Sequence, residues 1–371
     1  KKHFGKVYQI KTKLGYNISV TDDHPILTKK GMILAKDLLT KSKVAIYPFK
    51  GVSYEHSDEL ILDDDSLFNE SQLNELKKRD LFPLNYNNPK LPIIAKLFGY
   101  LLGDGTIYFS GNKGYVNAYG PKEDLKLIQK DIEKLGFSAN IYGRTRDHKT
   151  PTKYGEVKFS GITYELHTSS RSLANLFYSL GYPKGNKTNT EFVVPEWIMN
   201  GPLWVKQSFI SGFFGAELSK PRTHTKTGFD CPTISLNKNT HLKENARKFL
   251  IQLMSLLEEF NITTYKLLER EDYVNKHGPT HRFKLQIASK EDNLLNLWSK
   301  IGFSYNKKRK LLGDIAIVYI KEQKLLTEKR SEIATKAKEL RKKGLKLKEV
   351  QDLLVSNFVN KRFIQRHYYE D

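Results

Sequence analysis

"LFGYLLGDGTI", residues 97–107, ends an apolar helical run on an acid, Asp104, set between Gly103 and Gly105. Both features are unfavourable. Glycine inside a helix costs about 1 kcal/mol relative to alanine, and a carboxylate at a helix C-terminus faces the negative end of the dipole. A second copy, "FISGFFGAEL" at 209–218, lays Gly212 on Gly99, Ala216 on Gly103 and Glu217 on Asp104. Small residues at i and i+4 share a helix face and let two helix backbones approach closely. Two helices paired through these faces bring their terminal acids side by side. Adjacent carboxylates repel unless a cation lies with them, and hard oxygen ligands suit Mg²⁺. The pattern therefore predicts a divalent-cation site on Asp104 and Glu217. Buried helices ending at glycine-rich turns are the plainer alternative.

The 371 residues carry 62 Lys and Arg against 41 Asp and Glu, a net charge of +21. That excess points to a polyanionic partner, most economically nucleic acid. A single cysteine, Cys231, excludes an intramolecular disulfide framework and a CxxC zinc site. The sequence holds no apolar run of membrane-spanning length and no apolar signal core at its start, so a soluble cytoplasmic chain without a membrane partner is expected. A monomer is expected as well.

Residues 1–50 are short alternating runs between Gly and Asp turns and read as β-rich. Residues 51–90 are acidic, then polar, and read as a connector with one short helix. From 91 the chain repeats itself in the outline α-β-β-α-β-β-α, as 91–200 and 201–326. The closing segments align too: "TSSRSLANLFYSLGYPKGNKT" at 168–188 lies on "SKEDNLLNLWSKIGFSYNKKR" at 289–309, with Leu176 on Leu297, Gly181 on Gly302 and Lys187 on Lys308. Residues 327–371 read as three helices with Lys361, Arg362 and Arg366 on the last, in the manner of a helix-turn-helix DNA-binding module. In "HRFKLQI" the alternation puts Arg282, Lys284 and Gln286 on one strand face, and "NIYGRTRDHKT" supplies Arg144 and Arg146 in the first half. Arg and Gln are side chains that read base edges. A surface strand with ordinary polar residues is the alternative for each. His277 and His281 flank a turn at Gly278-Pro279 and are not read as metal ligands.

The paired "GYLLGDG" and "GFFGAEL" segments resemble the LAGLIDADG, or DOD-type, homing endonucleases in their single-chain two-motif form, over residues 91–320. "VTDDHPILTKKGMILAKDL" resembles the Thr-x-x-His block of the intein Hint splicing domain, with Thr21 and His24 in the matching positions. The resemblance implies an α+β fold: a pseudo-symmetric two-repeat endonuclease core, a partial β-rich Hint segment before it and the small helical module after it. It implies Mg²⁺-dependent double-strand cleavage of a long asymmetric DNA site. In that mechanism Asp104 and Glu217 are catalytic metal ligands, and Lys187 and Lys308 are cations beside them. Protein splicing, with His24 polarising the scissile peptide and Thr21 orienting it, is expected only within a complete precursor bearing host exteins, because the chain begins Lys1-Lys2 and ends Glu370-Asp371 rather than on a nucleophile and a His-Asn pair. The motifs also depart from the family pattern: Leu102 and Gly215 stand two positions before the acids, and Leu218 replaces the glycine after the second. A non-cleaving nucleic-acid-binding protein of maturase or regulator type, or an intein with a decayed endonuclease, are the alternatives.

Overall fold

The computed structural model describes residues 5–152, 155–225, 228–275 and 277–370, without the side chains of 146, 148–152, 155–159 and 275. Contacts divide the chain into two units, one of Lys1–Pro48 with Ile315–Asp371 and one of Phe49–Asp314. The first unit opens with two antiparallel hairpins, β1 (Val7–Lys11) with β2 (Asn17–Thr21) and β3 (Pro25–Thr28) with β4 (Gly31–Leu34).

The second unit holds β5 (Leu60–Leu62), α1 (Glu70–Lys78) and β6 (Leu84–Asn85), then two similar halves. The stretch read as a connector thus contributes a strand pair and a helix to this unit, with Asn69 and Gln72 forming a capping box at the start of α1. The first half runs α2 (Leu91–Asp104), β7 (Gly105–Ser110), β8 (Lys113–Tyr119), α3 (Lys122–Lys134), β9 (Asn140–Thr152), β10 (Gly155–Ser169) and α4 (Arg171–Ser179). After α5 (Glu196–Met199), the second half runs α6 (Leu203–Glu217), β11 (Thr233–Asn239), α7 (Lys243–Glu259), β12 (Leu268–Asn275), β13 (Gly278–Gln286) and α8 (Glu291–Asn296).

The sheets have related orders, β7-β8-β10-β9 and β11-β13-β12. The second lacks a counterpart of β7 among the described residues: a Thr223–Phe229 bridge stands there instead. The four-strand outline therefore holds for the first half and not for the second.

α2 and α6 are apolar on nearly every side and are buried, Leu97 to Leu102 in one and Phe209 to Ala216 in the other. Their glycines are reciprocal. A methyl built on Gly99 would lie 2.0 Å from the Phe209 carbonyl oxygen, and one on Gly212 2.0 Å from that of Lys96. At Gly103 it would lie 2.5 Å from the Ala216 Cβ. Only glycine permits this approach, so the interface forces the two helix C-termini together.

α9 (Lys307–Lys342) begins in the second unit and continues into the first, unbroken through the boundary expected at 326/327. Gly344, at φ +87, ends it in the left-handed region that favours glycine. α10 (Leu347–Leu354) and α11 (Lys361–Tyr369) follow, and Ala337, Val350, Leu354, Val359 and Ile364 form the small core of this helical module. No helix among the described residues is long and apolar enough to cross a membrane.

Candidate metal and nucleic-acid site

Four carbonyls at the C-terminus of any α-helix lack intrahelical donors. Here two basic side chains supply them. Lys187 Nζ donates to the carbonyls of Leu101, at 3.0 Å, Leu102, at 2.8 Å, and Gly103. Arg309 Nη1 donates to those of Phe214, at 3.3 Å, Gly215, and Ala216, at 2.7 Å. These are the same three positions of α2 and α6, so Lys187 and Arg309 are equivalent. Both cations also complement the helix dipoles.

The second cation was expected at Lys308, which is instead exposed one position before Arg309. The physical reason is local. The first closing loop reaches Lys187 through a single 3-10 turn at Lys187–Asn189, whereas the second passes directly into α9, where Asn306 Oδ1 caps the Arg309 amide at 3.0 Å. An ungapped alignment misses that one-residue difference. The adjacent arginine was the available signal.

Asp104 and Glu217 end α2 and α6. A methyl on Gly103 would lie 3.3 Å from Glu217 Oε1, which places the second carboxylate against the end of the first helix. Burial raises the Asp104 pKa, opposed by the charges of Lys187 and Arg309. Burial and the neighbouring Asp104 push Glu217 up to about 7, again opposed by both cations. Burial also lowers Lys187 to about 8, against the attraction of the two acids. Two neighbouring carboxylates whose mutual charge is disfavoured are hard oxygen donors of the kind that suit Mg²⁺. No cluster of three or more His, Cys, Asp or Glu is found among the described residues.

Leu218 is fully buried and continues from α6 in extended conformation. Its counterpart Gly105 has no such room, since a methyl there would lie 2.5 Å from Leu101 Cδ2. An open pocket of about 630 Å³ leads from Glu217 past Lys220, Arg222 and Cys231 to Lys284 and Gln286. Lys284 is thus exposed toward the acid site. Arg282 is tied down, with Nε 3.3 Å from Asn237 Oδ1 and 3.7 Å from Asp272. Arg144 lies 3.8 Å from Glu165 and remains mostly exposed; the Arg146 side chain lies outside the described residues.

The first sheet's open face carries a feature that the sequence reading missed. Tyr108 stacks on Tyr115 at 4.8 Å, Tyr115 meets His167 at 5.2 Å, and His167 meets Tyr142 at 6.3 Å. The rings form a ladder across all four strands, and alternation in "TIYFS" and "GYVNAY" was its signal.

In the other unit, Lys361 pairs with Asp352 at 3.0 Å and Arg366 with Glu370 at 3.1 Å, while Arg362 is exposed. Thr21 Oγ1 donates to Asp23 at 2.6 Å, and the His24 amide closes a turn on the Thr21 carbonyl at 3.3 Å, with the imidazole exposed.

No family model matches the chain. A curated relative from Pyrococcus furiosus (strain ATCC 43587 / DSM 3638 / JCM 8422 / Vc1), tRNA-splicing ligase RtcB, is 33% identical over 366 residues, 98% of this chain and 37% of the relative. A second, the DNA-directed RNA polymerase subunit Rpo1N of Methanocaldococcus jannaschii, is 30% identical over 328 residues, 85% of this chain and 24% of that subunit. The chain thus spans little more than a third of the first and a quarter of the second. Among solved structures, the homing endonuclease I-WcaI bound to its DNA recognition sequence covers 63% of this chain and 96% of its own, with 14% identity and a TM-score of 0.37, too loose a superposition to show a common fold.

These names correct the resemblance drawn from the motifs. Neither relative is named as a LAGLIDADG endonuclease or an intein. The expectations of an endonuclease core with a Hint segment, of double-strand DNA cleavage and protein splicing, and of a long asymmetric DNA site and host exteins as partners are not carried by these relatives' names. The maturase, regulator and decayed-endonuclease alternatives match neither name.

Proposed function

We propose that this chain is a nucleic-acid-acting segment of a larger protein, holding a divalent cation between Asp104 and Glu217 beside a phosphodiester of RNA. The observation that carries the reading is the pair of acids at adjoining helix ends, each with a cation seated on its own helix carbonyls. A metal bound there supplies neutralisation of phosphate charge and a more acidic bound water. Lys187 and Arg309 add fixed positive charge at the same place, where developing negative charge is stabilised without reorganisation. Lys220, Arg222 and Lys284 line the approach to Glu217 and suit phosphate oxygens. The aromatic ladder suits unpaired bases, which stack on Tyr and His faces.

RNA is the nucleic acid common to the names of the two relatives, a tRNA-splicing ligase and an RNA polymerase subunit. The same stretch recurs in both, so the proposal assigns it chemistry at one site and leaves ligation or polymerisation to the proteins so named.

Calorimetry with Mn²⁺, followed by binding of a fluorescent RNA hairpin and of a duplex DNA of equal length, tests the reading. Asp104→Asn with Glu217→Gln should abolish metal binding and keep or tighten RNA binding, because two negative charges near phosphate are removed. Metal binding that survives both substitutions overturns the site. Duplex DNA bound more tightly than RNA overturns the substrate class.

A further inference from the structure

Lys238, on β11 of the second half, is 0% exposed. A side chain that only filled this space could be Met or Leu, with no charge to desolvate. Instead its Nζ donates to the Thr190 carbonyl and lies 4.0 Å from the centre of the Phe192 ring. Next to it, Asn239 Nδ2 donates to Asn189 Oδ1 at 2.9 Å. From α7, Asn245 and Gln252 accept the amides of Phe192, at 3.1 Å, and Val194, at 3.0 Å. The segment that starts at Lys187 is therefore fastened by the second half, while Lys187 itself caps α2 of the first.

The other cation shows the converse. Tyr305 Oη donates to Asp131 Oδ2 at 2.8 Å, and the Lys307 amide to Asp124 Oδ1 at 2.9 Å. Both acids lie on α3 of the first half and are 5% exposed. They fasten the segment that carries Arg309 to α6 of the second.

We infer that Lys238 and Asp124 are positioning residues acting crosswise, each half of the unit holding in place the cation that serves the other half's helix-end acid. The inference uses the proposed metal site only for what those cations serve; their placement is read without any metal.

The test is lysine ammonium and arginine guanidinium NMR on the full chain, with circular dichroism as the check on folding. In the parent protein both Lys187 and Arg309 should give resonances protected from solvent. Lys238→Met should remove protection of Lys187 and leave Arg309 unchanged, whereas Asp124→Ala should do the opposite. Lys238→Arg should retain the Lys187 signal. Loss of both signals in either variant means that the residue merely supports the fold, and retention of both means that it positions nothing; each result overturns the inference. Calorimetry supplies a separate reading of the proposed site. Lys187→Met, by removing a competing cation, and Lys238→Met, by releasing it, should each tighten Mn²⁺ severalfold, and the double variant should gain no more than Lys187→Met alone. A parent chain that binds no Mn²⁺ refutes the metal reading and leaves the NMR result to decide this one.

Discussion

Asp104 and Glu217 sit where an isolated helix disfavours a carboxylate, and the cations on the same helix ends relieve only part of that strain. The folded state holds the Glu217 proton more tightly than the unfolded chain does, its pKa pushed up to about 7 from an ordinary value of 4.5. With the acid pKa raised on folding, this group lowers stability progressively as pH rises from 4.5 through 7. Glu217→Gln removes the penalty and should stabilise the metal-free protein at pH 8 by at most about 3 kcal/mol, and hardly at all at pH 4, as chemical denaturation at the two pH values would show. A variant less stable than the parent at pH 8 contradicts the charge argument. Metal affinity should rise with pH across the same window, because the ion displaces a proton; calorimetry in buffers of different ionisation enthalpy counts it. The glycines give a residue-scale prediction of opposite sign. Gly99→Ala or Gly212→Ala drives a methyl into a backbone carbonyl 2.0 Å away. Each should cost about 2–3 kcal/mol and lower Tm by roughly 4–10 °C in a thermal melt.

Among the elements, α2 and α6 were the most legible, because a helix face of small residues followed by an acid is written within a few consecutive positions. The sheets were less so. Alternation in 281–287 placed Lys284 and Gln286 on one face with Arg282, yet only cross-strand pairing shows that Arg282 is engaged by Asn237 and Asp272 while Lys284 lies in the pocket beside Glu217. The aromatic ladder joins rings from four strands that are separated in the chain by up to 59 positions, Tyr108 to His167, so no local window contains it. Tyr108→Ala and Tyr142→Ala should each weaken binding of a single-stranded RNA about tenfold, in line with base stacking of roughly 1–3 kcal/mol, and should affect a fully paired duplex far less. Equal losses on both ligands, measured by fluorescence anisotropy, would mean that the ladder is not a base platform. Lys284→Ala should weaken every sequence alike and flatten the salt dependence by about one unit of slope.

For the whole molecule, a charge of +21 predicts association governed by counterion release. Contacts with on the order of eight phosphates give a log–log slope of about −6 on single-stranded ligand, and a slope shallower than about −2 would confine binding to the pocket beside Glu217. Within the chain, the internal repeat, the acids at its helix ends and the basic excess were present in residue order alone, because each depends on spacing or composition. The second cation was not. Lys308 and Arg309 are adjacent and alike in charge, and the choice between them depends on how a loop of different length enters α9. Nor could residue order show that Lys238 holds the segment bearing Lys187, or that Asp124 holds the one bearing Arg309. Those pairings join residues 48 and 183 positions apart, and a buried charge acquires its partner only when packing has removed the water that would otherwise serve it.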